Sequence, residues 1–298
     1  MSELQNFRAG FIAVVGRPNV GKSTLVNALV GAKVSIVSSK PQTTRHRILG
    51  VRTRAGAQFV FVDTPGFQTK HRNALNQSMN RVVAQSLADV DAVLFLIESM
   101  RFDAADERVL KLLPKDIPVI LVVNKIDQLA DKTRLLPFLQ AAAQRFDFAE
   151  IVPLSALDGR DSERLLDILQ PRLPEAEPLF EEAAITDRSE RFLAAEILRE
   201  KVFRLTGDEI PYGVAVEIEQ FQQEPSGMRR IAAVIWVDRD AHKPILLGKS
   251  GEHLKRIASE ARQDMERLFD AKVFLNCWIK VKSGWTDNAA LLKSLGHD

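Results

Sequence analysis

A glycine-rich stretch near the N-terminus, GRPNVGKST (16–24), has the residue types and spacing needed to hold a phosphate chain. It fits the pattern G-x-x-x-x-G-K-[ST], whose backbone N–H groups donate to phosphate oxygens. In that pattern the Lys22 ammonium lies near the β- and γ-phosphates, and the Ser23 hydroxyl binds Mg²⁺. The predicted nucleotide-binding residues of this stretch are Gly16, Arg17, Pro18, Asn19, Val20, Gly21, Lys22, Ser23 and Thr24.

A second stretch, DTPGF (63–67), could act on the same phosphates. The Asp63 carboxylate could hold the hydration shell of Mg²⁺, and the Gly66 N–H could contact a γ-phosphate. A Pro-Gly turn without chemistry is the alternative interpretation, because such turns are common. The other predicted nucleotide-binding residues of this stretch are Thr64, Pro65 and Phe67.

Two later stretches could select the base. In NKID (124–127) the Asp127 carboxylate can accept hydrogen bonds from the ring N–H and the exocyclic amino group of guanine. Adenine has no matching donors, so the sequence predicts guanine selectivity. In LSA (154–156) the Ala156 amide would donate to guanine O6. The other residues predicted to line the base are Asn124, Lys125 and Ser155.

Buried strands alternating with helices would position these stretches. Apolar runs bounded by turn residues occur at 10–16, 57–64, 91–98, 117–124 and 148–156. Helical patterns between and after them include KSTLVNALV, DERVLKLL, TRLLPFLQAAAQRF and ERLLDILQ. This alternation predicts an α/β fold with a doubly wound, mostly parallel sheet, in which ligands bind at the carboxyl ends of the strands. Each candidate stretch follows a predicted strand.

Four motifs in this order resemble the Ras-like GTPases of the TRAFAC class, over about residues 8–172. The resemblance implies GTP as the substrate and makes SSKPQTTRHRILG (38–50) the first switch. Either Thr43 or Thr44 would then contact Mg²⁺ and the γ-phosphate, with Thr44 favoured. The implied switch residues are Gln42, Thr43, Thr44, Arg45 and His46. The implied catalytic residues are Lys22, Thr44 and Gly66. The implied Mg²⁺ ligands are Ser23, Thr44 and Asp63.

One position departs from the Ras pattern. Where Ras-type enzymes carry a glutamine that orients the attacking water, this chain has Phe67. An apolar ring cannot polarise water, so slow intrinsic hydrolysis is expected unless another group, an ion or a partner assists. Related GTPases hold K⁺ with an asparagine at the position of Asn19, which makes K⁺ a candidate cofactor beside Mg²⁺.

The tripeptide GKS occurs a second time, at 248–250, in a different context. A phosphate loop of the first kind would need glycine where Lys243 stands, so G-x-x-G (248–251) is what remains. It opens a predicted amphipathic helix. Predicted elements in the order helix, strand, strand, helix, G-x-x-G, helix, strand resemble a smaller α+β domain, the type II KH domain. That resemblance implies binding of single-stranded RNA by Gly248, Lys249, Ser250, Gly251, Lys255 and Arg256.

Taken over nearly the whole length, the motifs resemble the Era family of bacterial GTPases. The resemblance implies binding of small-subunit ribosomal RNA near its 3′ end during assembly of the small ribosomal subunit, with some peripheral membrane association. The expected domains are a GTPase domain (1–175), a linker (176–186) and a KH-type domain (187–298). The alternative is a signalling switch that acts through protein or membrane partners, with the KH-like domain as a docking module.

Composition limits the remaining possibilities. The chain has 298 residues, a net charge of +2 and one cysteine, Cys277, which excludes an internal disulfide and favours a reducing cytoplasm. No apolar run approaches the roughly 20 residues of a membrane-spanning helix, and no signal peptide is expected. Residues 187–298 carry 18 basic and 18 acidic side chains, so RNA affinity would have to come from a local patch. A monomer is expected.

Overall fold

The structure, a computed structural model, describes residues 7–38, 40, 43–67, 74–207, 210–285 and 288. The chain divides into two compact units. The first unit comprises residues 1–35, 44–71 and 79–187, and the second comprises 36–43, 72–78 and 188–298. The predicted switch residue Gln42 lies outside the described residues.

A six-stranded sheet forms the centre of the first unit. Its strands are β1 (Arg8–Val15), β2 (Ile48–Arg54), β3 (Ala57–Asp63), β4 (Ala92–Glu98), β5 (Val119–Asn124) and β6 (Glu150–Pro153). They are ordered β2-β3-β1-β4-β5-β6, and all neighbours are parallel except the antiparallel pair β2 and β3. The predicted doubly wound, mostly parallel sheet is confirmed.

Five helices belong to the same half of the chain: α1 (Lys22–Val30), α2 (Ala74–Ser86), α3 (Ala104–Leu110), α4 (Leu135–Ala143) and α5 (Gly159–Leu169). Strands β3, β4 and β5 are almost wholly buried, because apolar side chains cover both faces of the sheet. One apolar cluster includes Leu25 and Leu166 and the other includes Val83 and Val109. Strand β2 and helix α2 were not predicted from the sequence.

The predicted linker is tied to the edge of this sheet. The Gln58 side-chain oxygen accepts hydrogen bonds from the backbone N–H groups of Leu179 (2.7 Å) and Phe180 (2.8 Å). The Val51 N–H donates to the Ile185 carbonyl at 2.9 Å. Residues 176–186, a segment called the strap below, therefore belong to the first unit, whereas their proline and acidic residues predicted a connector.

The second unit contains α6 (Glu190–Leu205), β7 (Val214–Gln223), β8 (Arg229–Val237), α7 (His242–Leu247), α8 (Glu252–Phe269) and β9 (Val273–Val281). Its sheet has the order β7-β8-β9, with β7 antiparallel and β9 parallel to β8. The predicted order of elements is confirmed. Helix α8 buries Ile257, Ala261 and Met265 in the core of this unit. Within the described residues, no helix is long and apolar enough to cross a membrane.

Candidate nucleotide site and nucleic-acid-binding loop

The loop between β1 and α1 is arranged around a buried lysine. Helix α1 begins at Lys22, whose Nζ donates to the carbonyl oxygens of Gly16 (3.1 Å) and Arg17 (3.0 Å). Burial lowers the Lys22 pKa from its ordinary 10.5 to about 8, although the nearby Asp63 carboxylate opposes the shift. The backbone thus holds the ammonium beneath the loop, where it can move to a phosphate.

Gly21 is required by a close approach within this loop. Its φ is +99°, and a Cβ added there would lie 2.3 Å from Asn124 Nδ2. That nitrogen donates to the Val20 carbonyl at 2.8 Å, so the phosphate loop is fastened to the loop after β5. A side chain at Gly21 would both strain the backbone and displace Asn124.

Three oxygen-bearing side chains converge below the phosphate loop. The Ser23 hydroxyl donates to Asp63 Oδ2 at 2.8 Å, and its oxygen lies 2.8 Å from Thr44 Oγ1. Asp63 Oδ1 is buried without a hydrogen-bond partner among the described residues, and burial raises the Asp63 pKa. Hydroxyl and carboxylate oxygens are the ligands that Mg²⁺ prefers, and Mg²⁺ keeps other positions for phosphate and water. The donor set therefore fits Mg²⁺.

The hydroxyl groups of the two candidate switch threonines contact different partners. Thr44 is buried against Ser23, whereas the Thr43 hydroxyl donates to the Lys40 carbonyl at 2.7 Å. In the segment between Thr44 and β2, Arg45 is buried and His46 is half-buried. The geometry thus favours Thr44 over Thr43 as the metal-binding threonine.

The stretch after β3 lies against the phosphate loop. Thr64 donates its hydroxyl to the Val14 carbonyl at 2.8 Å, and the Phe67 N–H donates to the Gly16 carbonyl at 3.4 Å. Pro65 is buried, and a Cβ added at Gly66 would lie 2.8 Å from the backbone of Pro18. The Phe67 ring packs on the apolar cluster of β4 and β5. The position of the Ras glutamine therefore carries an apolar ring instead of a polar side chain.

Asn124 connects the loops predicted to bind the base. Its Oδ1 accepts from the N–H groups of Lys125 (2.8 Å) and Ala156 (2.9 Å). The Ala156 amide predicted for guanine O6 is therefore engaged with Asn124, and guanine would have to share or replace that bond. Ser155 donates its N–H to Asp161 at 2.8 Å. The exposed Asp127 carboxylate has no hydrogen bond or ion pair within the described part of the chain.

The second GKS loop lies between α7 and α8 in the other unit. Gly248, Ser250 and Gly251 have φ values of 70°, 53° and 81°, and a Cβ at Gly248 would lie 2.7 Å from the Cβ of His253. The His253 ring nitrogens lie 2.9 Å from the Ile245 carbonyl oxygen and 3.0 Å from that of Leu205, so this side chain supports the loop. His253 belongs to no motif that the sequence displays, so this role was not predicted.

The predicted RNA-binding cations differ in availability. Lys249, Lys255 and Arg256 are all exposed. Arg256 Nε donates to Glu260 at 3.1 Å, whereas Lys249 and Lys255 have no such partner among the residues described. One of these ammonium groups therefore lies in a tight, glycine-containing turn and the other lies near the start of α8, which is a suitable arrangement for contacts to a phosphate backbone.

A phosphate loop with the other predicted nucleotide-binding stretches at neighbouring strand ends is the arrangement of a Ras-like GTPase, and a KH-like unit follows it. The family described as "50S ribosome-binding GTPase" matches residues 11–125, and the family described as "KH domain" matches residues 209–286. GTPase Era of Nitrosomonas eutropha is 59% identical over 292 residues, covering 98% of each chain, and GTPase Era of Chromobacterium violaceum is 55% identical over the same length and coverage. The chain belongs to the Era family of GTPases.

Solved structures agree with this assignment. The crystal structure of Era in complex with MgGDPNP and nucleotides 1506–1542 of 16S ribosomal RNA has a TM-score of 0.93 and 40% identity. The match covers 98% of this chain and 99% of that one. An Aquifex aeolicus Era variant bound to GDP and AlF₄⁻ matches with the same TM-score and identity.

Proposed function

We propose that this GTPase hydrolyses GTP at the site formed by the phosphate loop, Asp63 and Thr44, and that it binds single-stranded RNA through the second GKS loop. The convergence of the Ser23, Thr44 and Asp63 oxygens carries the first part of the proposal. It supplies a Mg²⁺ site next to the loop that would hold the phosphates.

Each residue has a distinct role in this proposal. Lys22 leaves the Gly16 and Arg17 carbonyls to neutralise the β- and γ-phosphates, and Mg²⁺, when bound, adds positive charge where the transition state is most negative. Ser23, Thr44 and Asp63 are the residues that would hold that ion. Gly66 is proposed to donate its backbone N–H to the γ-phosphate. Because glycine has no Cβ, its backbone can lie against Pro18 of the phosphate loop.

Guanine selection is assigned to Asp127. Asp127→Asn replaces one acceptor oxygen by a donor amide, which should weaken GTP binding and favour xanthosine triphosphate. Competition titrations with both nucleotides measure this change, and Asp116→Asn is a matched control because Asp116 is also an exposed carboxylate in the first unit. Unchanged GTP affinity in Asp127→Asn would refute the assignment.

Hydrolysis without a water-orienting glutamine is expected to be slow. Phe67→Ala should keep much of the basal rate, because the ring contributes packing and no polar contact. We further propose that Asn19, exposed on the phosphate loop with a φ of 65°, helps hold K⁺. Phosphate release should then be faster in K⁺ than in Na⁺, and Asn19→Ala should remove the difference. Equal rates in the two salts would exclude K⁺.

The RNA partner is proposed to be small-subunit ribosomal RNA near its 3′ end, within the assembling small subunit. The relative solved with nucleotides 1506–1542 of 16S ribosomal RNA supports this choice, together with the free cations at the second loop. Lys249→Asp combined with Ser250→Asp keeps both glycines but places two negative charges where phosphates would lie. Filter binding to a 3′-end RNA fragment should show a large loss of affinity.

The matched control for that variant is Lys132→Asp combined with Thr133→Asp, which makes the same charge change on an exposed turn of the first unit. It should retain RNA affinity. Unchanged tight binding by the loop variant would show that the loop is a structural turn. Negligible RNA binding by the parent would instead favour the docking-module alternative.

Localisation, membrane association and oligomeric state also remain proposals. We expect a monomeric, cytoplasmic protein, in agreement with its RNA partner and lone cysteine. Peripheral membrane association is implied by the family resemblance. Light scattering after gel filtration tests the first expectation, and flotation with anionic vesicles tests the last.

A further inference from the structure

Arg17 of the phosphate loop and Lys125 of the proposed guanine-binding loop (124–127) were both predicted to bind the nucleotide, and the structure gives both of them a carboxylate partner. Arg17 of the phosphate loop is buried, although a guanidinium is costly to bury without partners. Its Nη2 donates to Glu98 Oε2 at 2.7 Å, and its Nε donates to Asp106 Oδ2 at 3.3 Å. Two carboxylates therefore hold Arg17 from two directions.

Glu98 also reaches the other loop. Its second oxygen, Oε1, lies 3.3 Å from the Nζ of Lys125, in the loop that carries Asp127. Although partial burial raises the Glu98 pKa, the Arg17 hydrogen bond and the Lys125 charge outweigh it and lower that pKa below its ordinary value. The carboxylate is thus ionised at neutral pH and bridges one cation from each loop.

The fold explains why one side chain can do this. Glu98 is the last residue of β4, which lies between β1 and β5 in the sheet. The phosphate loop follows β1 and the guanine-binding loop follows β5, so the end of β4 lies between them. In the parallel register Glu98 pairs with Asn124, the residue just before Lys125.

Asp106 connects Arg17 to helix α3. It is fully buried at the start of α3, where its Oδ2 also accepts from the Asp103 N–H at 3.0 Å within a capping box. Helix α3 therefore holds Arg17, and Glu98 connects Arg17 to Lys125.

We propose that Glu98 is a positioning residue that holds the phosphate loop and the guanine-binding loop at the spacing of a bound nucleotide. The inference rests on the proposed assignment of these loops. A nucleotide engages both loops at once, so fixing their spacing beforehand lowers the entropic cost of binding. The Asn124 bond to Val20 is a second link between the loops, so loss of Glu98 should weaken binding without abolishing it.

The test is Glu98→Gln, which keeps the shape of the side chain but removes its charge. We expect GDP and GTP to dissociate about tenfold faster, measured by stopped-flow release of fluorescent nucleotides, with kcat at saturating GTP changed by less than about twofold. The matched control is Glu163→Gln, because Glu163 also bridges two arginines of this unit, Arg52 (3.4 Å) and Arg54 (3.9 Å). It should release nucleotide at the parent rate.

A double-mutant cycle makes the test specific to the bridge. Arg17→Gln and Lys125→Gln should each speed GDP release. The rate increase in the double variant should be about fivefold smaller than the product of the two single-variant increases. In the Glu98→Gln background the two effects should simply multiply. Coupling that persists in that background would overturn the proposal, as would a Glu98→Gln protein whose melting temperature falls while its nucleotide release is unchanged.

Failure of the site assignment would give a different result. If Lys22→Ala kept the parent's affinity for GTP, the phosphate loop itself would be misassigned, whatever Glu98→Gln does. If Lys22→Ala lost affinity while Glu98→Gln did not change release, only the positioning role would be wrong.

Discussion

The tripeptide GKS occurs in both units of the chain and has a different structure in each. In the first copy Lys22 is buried, its Nζ bonds two carbonyl oxygens, and Ser23 contacts Asp63 and Thr44. In the second copy Lys249 and Ser250 are exposed, and Ser250 itself adopts a left-handed φ of 53°. The first loop can enclose a phosphate chain, whereas the second presents a short basic turn to solvent.

The difference comes from what surrounds each copy. The first lies where a buried parallel strand meets a helix, so side chains from neighbouring strand ends converge on it. The second joins helices α7 and α8, and among the described residues its Lys249 has no hydrogen bond or ion pair. Identical residues therefore have different chemistry, because side chains from other segments contact the first copy, whereas the second copy is exposed to solvent.

The strongest test of this contrast exchanges each lysine for alanine. Lys22→Ala should weaken GTP binding by at least about 100-fold, or about 3 kcal/mol, because a charge-assisted contact to phosphate is lost. Lys249→Ala should change GTP affinity by less than about twofold. Titration with a fluorescent GTP analogue measures both. A comparable loss in the two variants would contradict the separation of roles.

The same substitution at the two loop glycines should also have unequal effects. Gly21→Ala would strain a φ of +99° and displace Asn124, so GTP affinity should fall about tenfold or more. Gly251→Ala meets nothing within 4 Å and only strains a φ of +81°, so it should cost about 1 kcal/mol of stability. Calorimetry for GTP and thermal melting of both variants measure these effects. Equal GTP affinities would show that the contact with Asn124 is unimportant.

The pH dependence of nucleotide binding should report the buried lysine. Because burial lowers the Lys22 pKa to about 8, the nucleotide-free protein loses this charge as the pH rises through 8. Phosphates favour the charged lysine, so binding above pH 8 takes up a proton and affinity falls, approaching tenfold per pH unit. Below pH 8 Lys22 is already charged in the nucleotide-free protein, so its contribution to affinity should hardly change with pH.

Calorimetry in two buffers of different ionisation enthalpy measures that proton uptake. It should approach one proton at pH 9 and be small at pH 7 in the parent and in Lys249→Ala. Lys22→Ala should lack the dependence, at nucleotide concentrations high enough for it to bind. No proton uptake by the parent at pH 9 would refute this account of Lys22.

The smallest expected effect is in the salt dependence of RNA binding. If Lys249 contacts one phosphate, Lys249→Ala should reduce the slope of log affinity against log salt by about one unit. Arg256→Ala should reduce it less, because Glu260 already pairs with that guanidinium. Filter binding at four salt concentrations gives both slopes, and identical slopes for parent and Lys249→Ala would exclude a phosphate contact by Lys249.

Much of this protein could be predicted from local sequence. Apolar runs and helical periods gave the mostly parallel sheet and the order of elements in the second unit, because these patterns depend on neighbouring residues. The motifs at 16–24, 63–67 and 124–127 pointed to GTP, because their residue types and spacing match the hydrogen-bonding groups of that ligand. The edge strand β2 (Ile48–Arg54) was missed; its first three residues lie in the stretch interpreted as a switch, and its last residues are polar or charged.

Tertiary structure decided what sequence alone left open. Thr43 and Thr44 are adjacent and chemically identical, but the Thr44 hydroxyl lies against Ser23 whereas the Thr43 hydroxyl donates to the Lys40 carbonyl. The strap at 176–186 is composed like a linker, but backbone groups of β2 and the Gln58 side chain bind it. Glu98 has no motif, because its role depends on cations from two loops that only the sheet brings together. Local patterns set which groups a segment can offer, whereas long-range packing sets which of those groups meet.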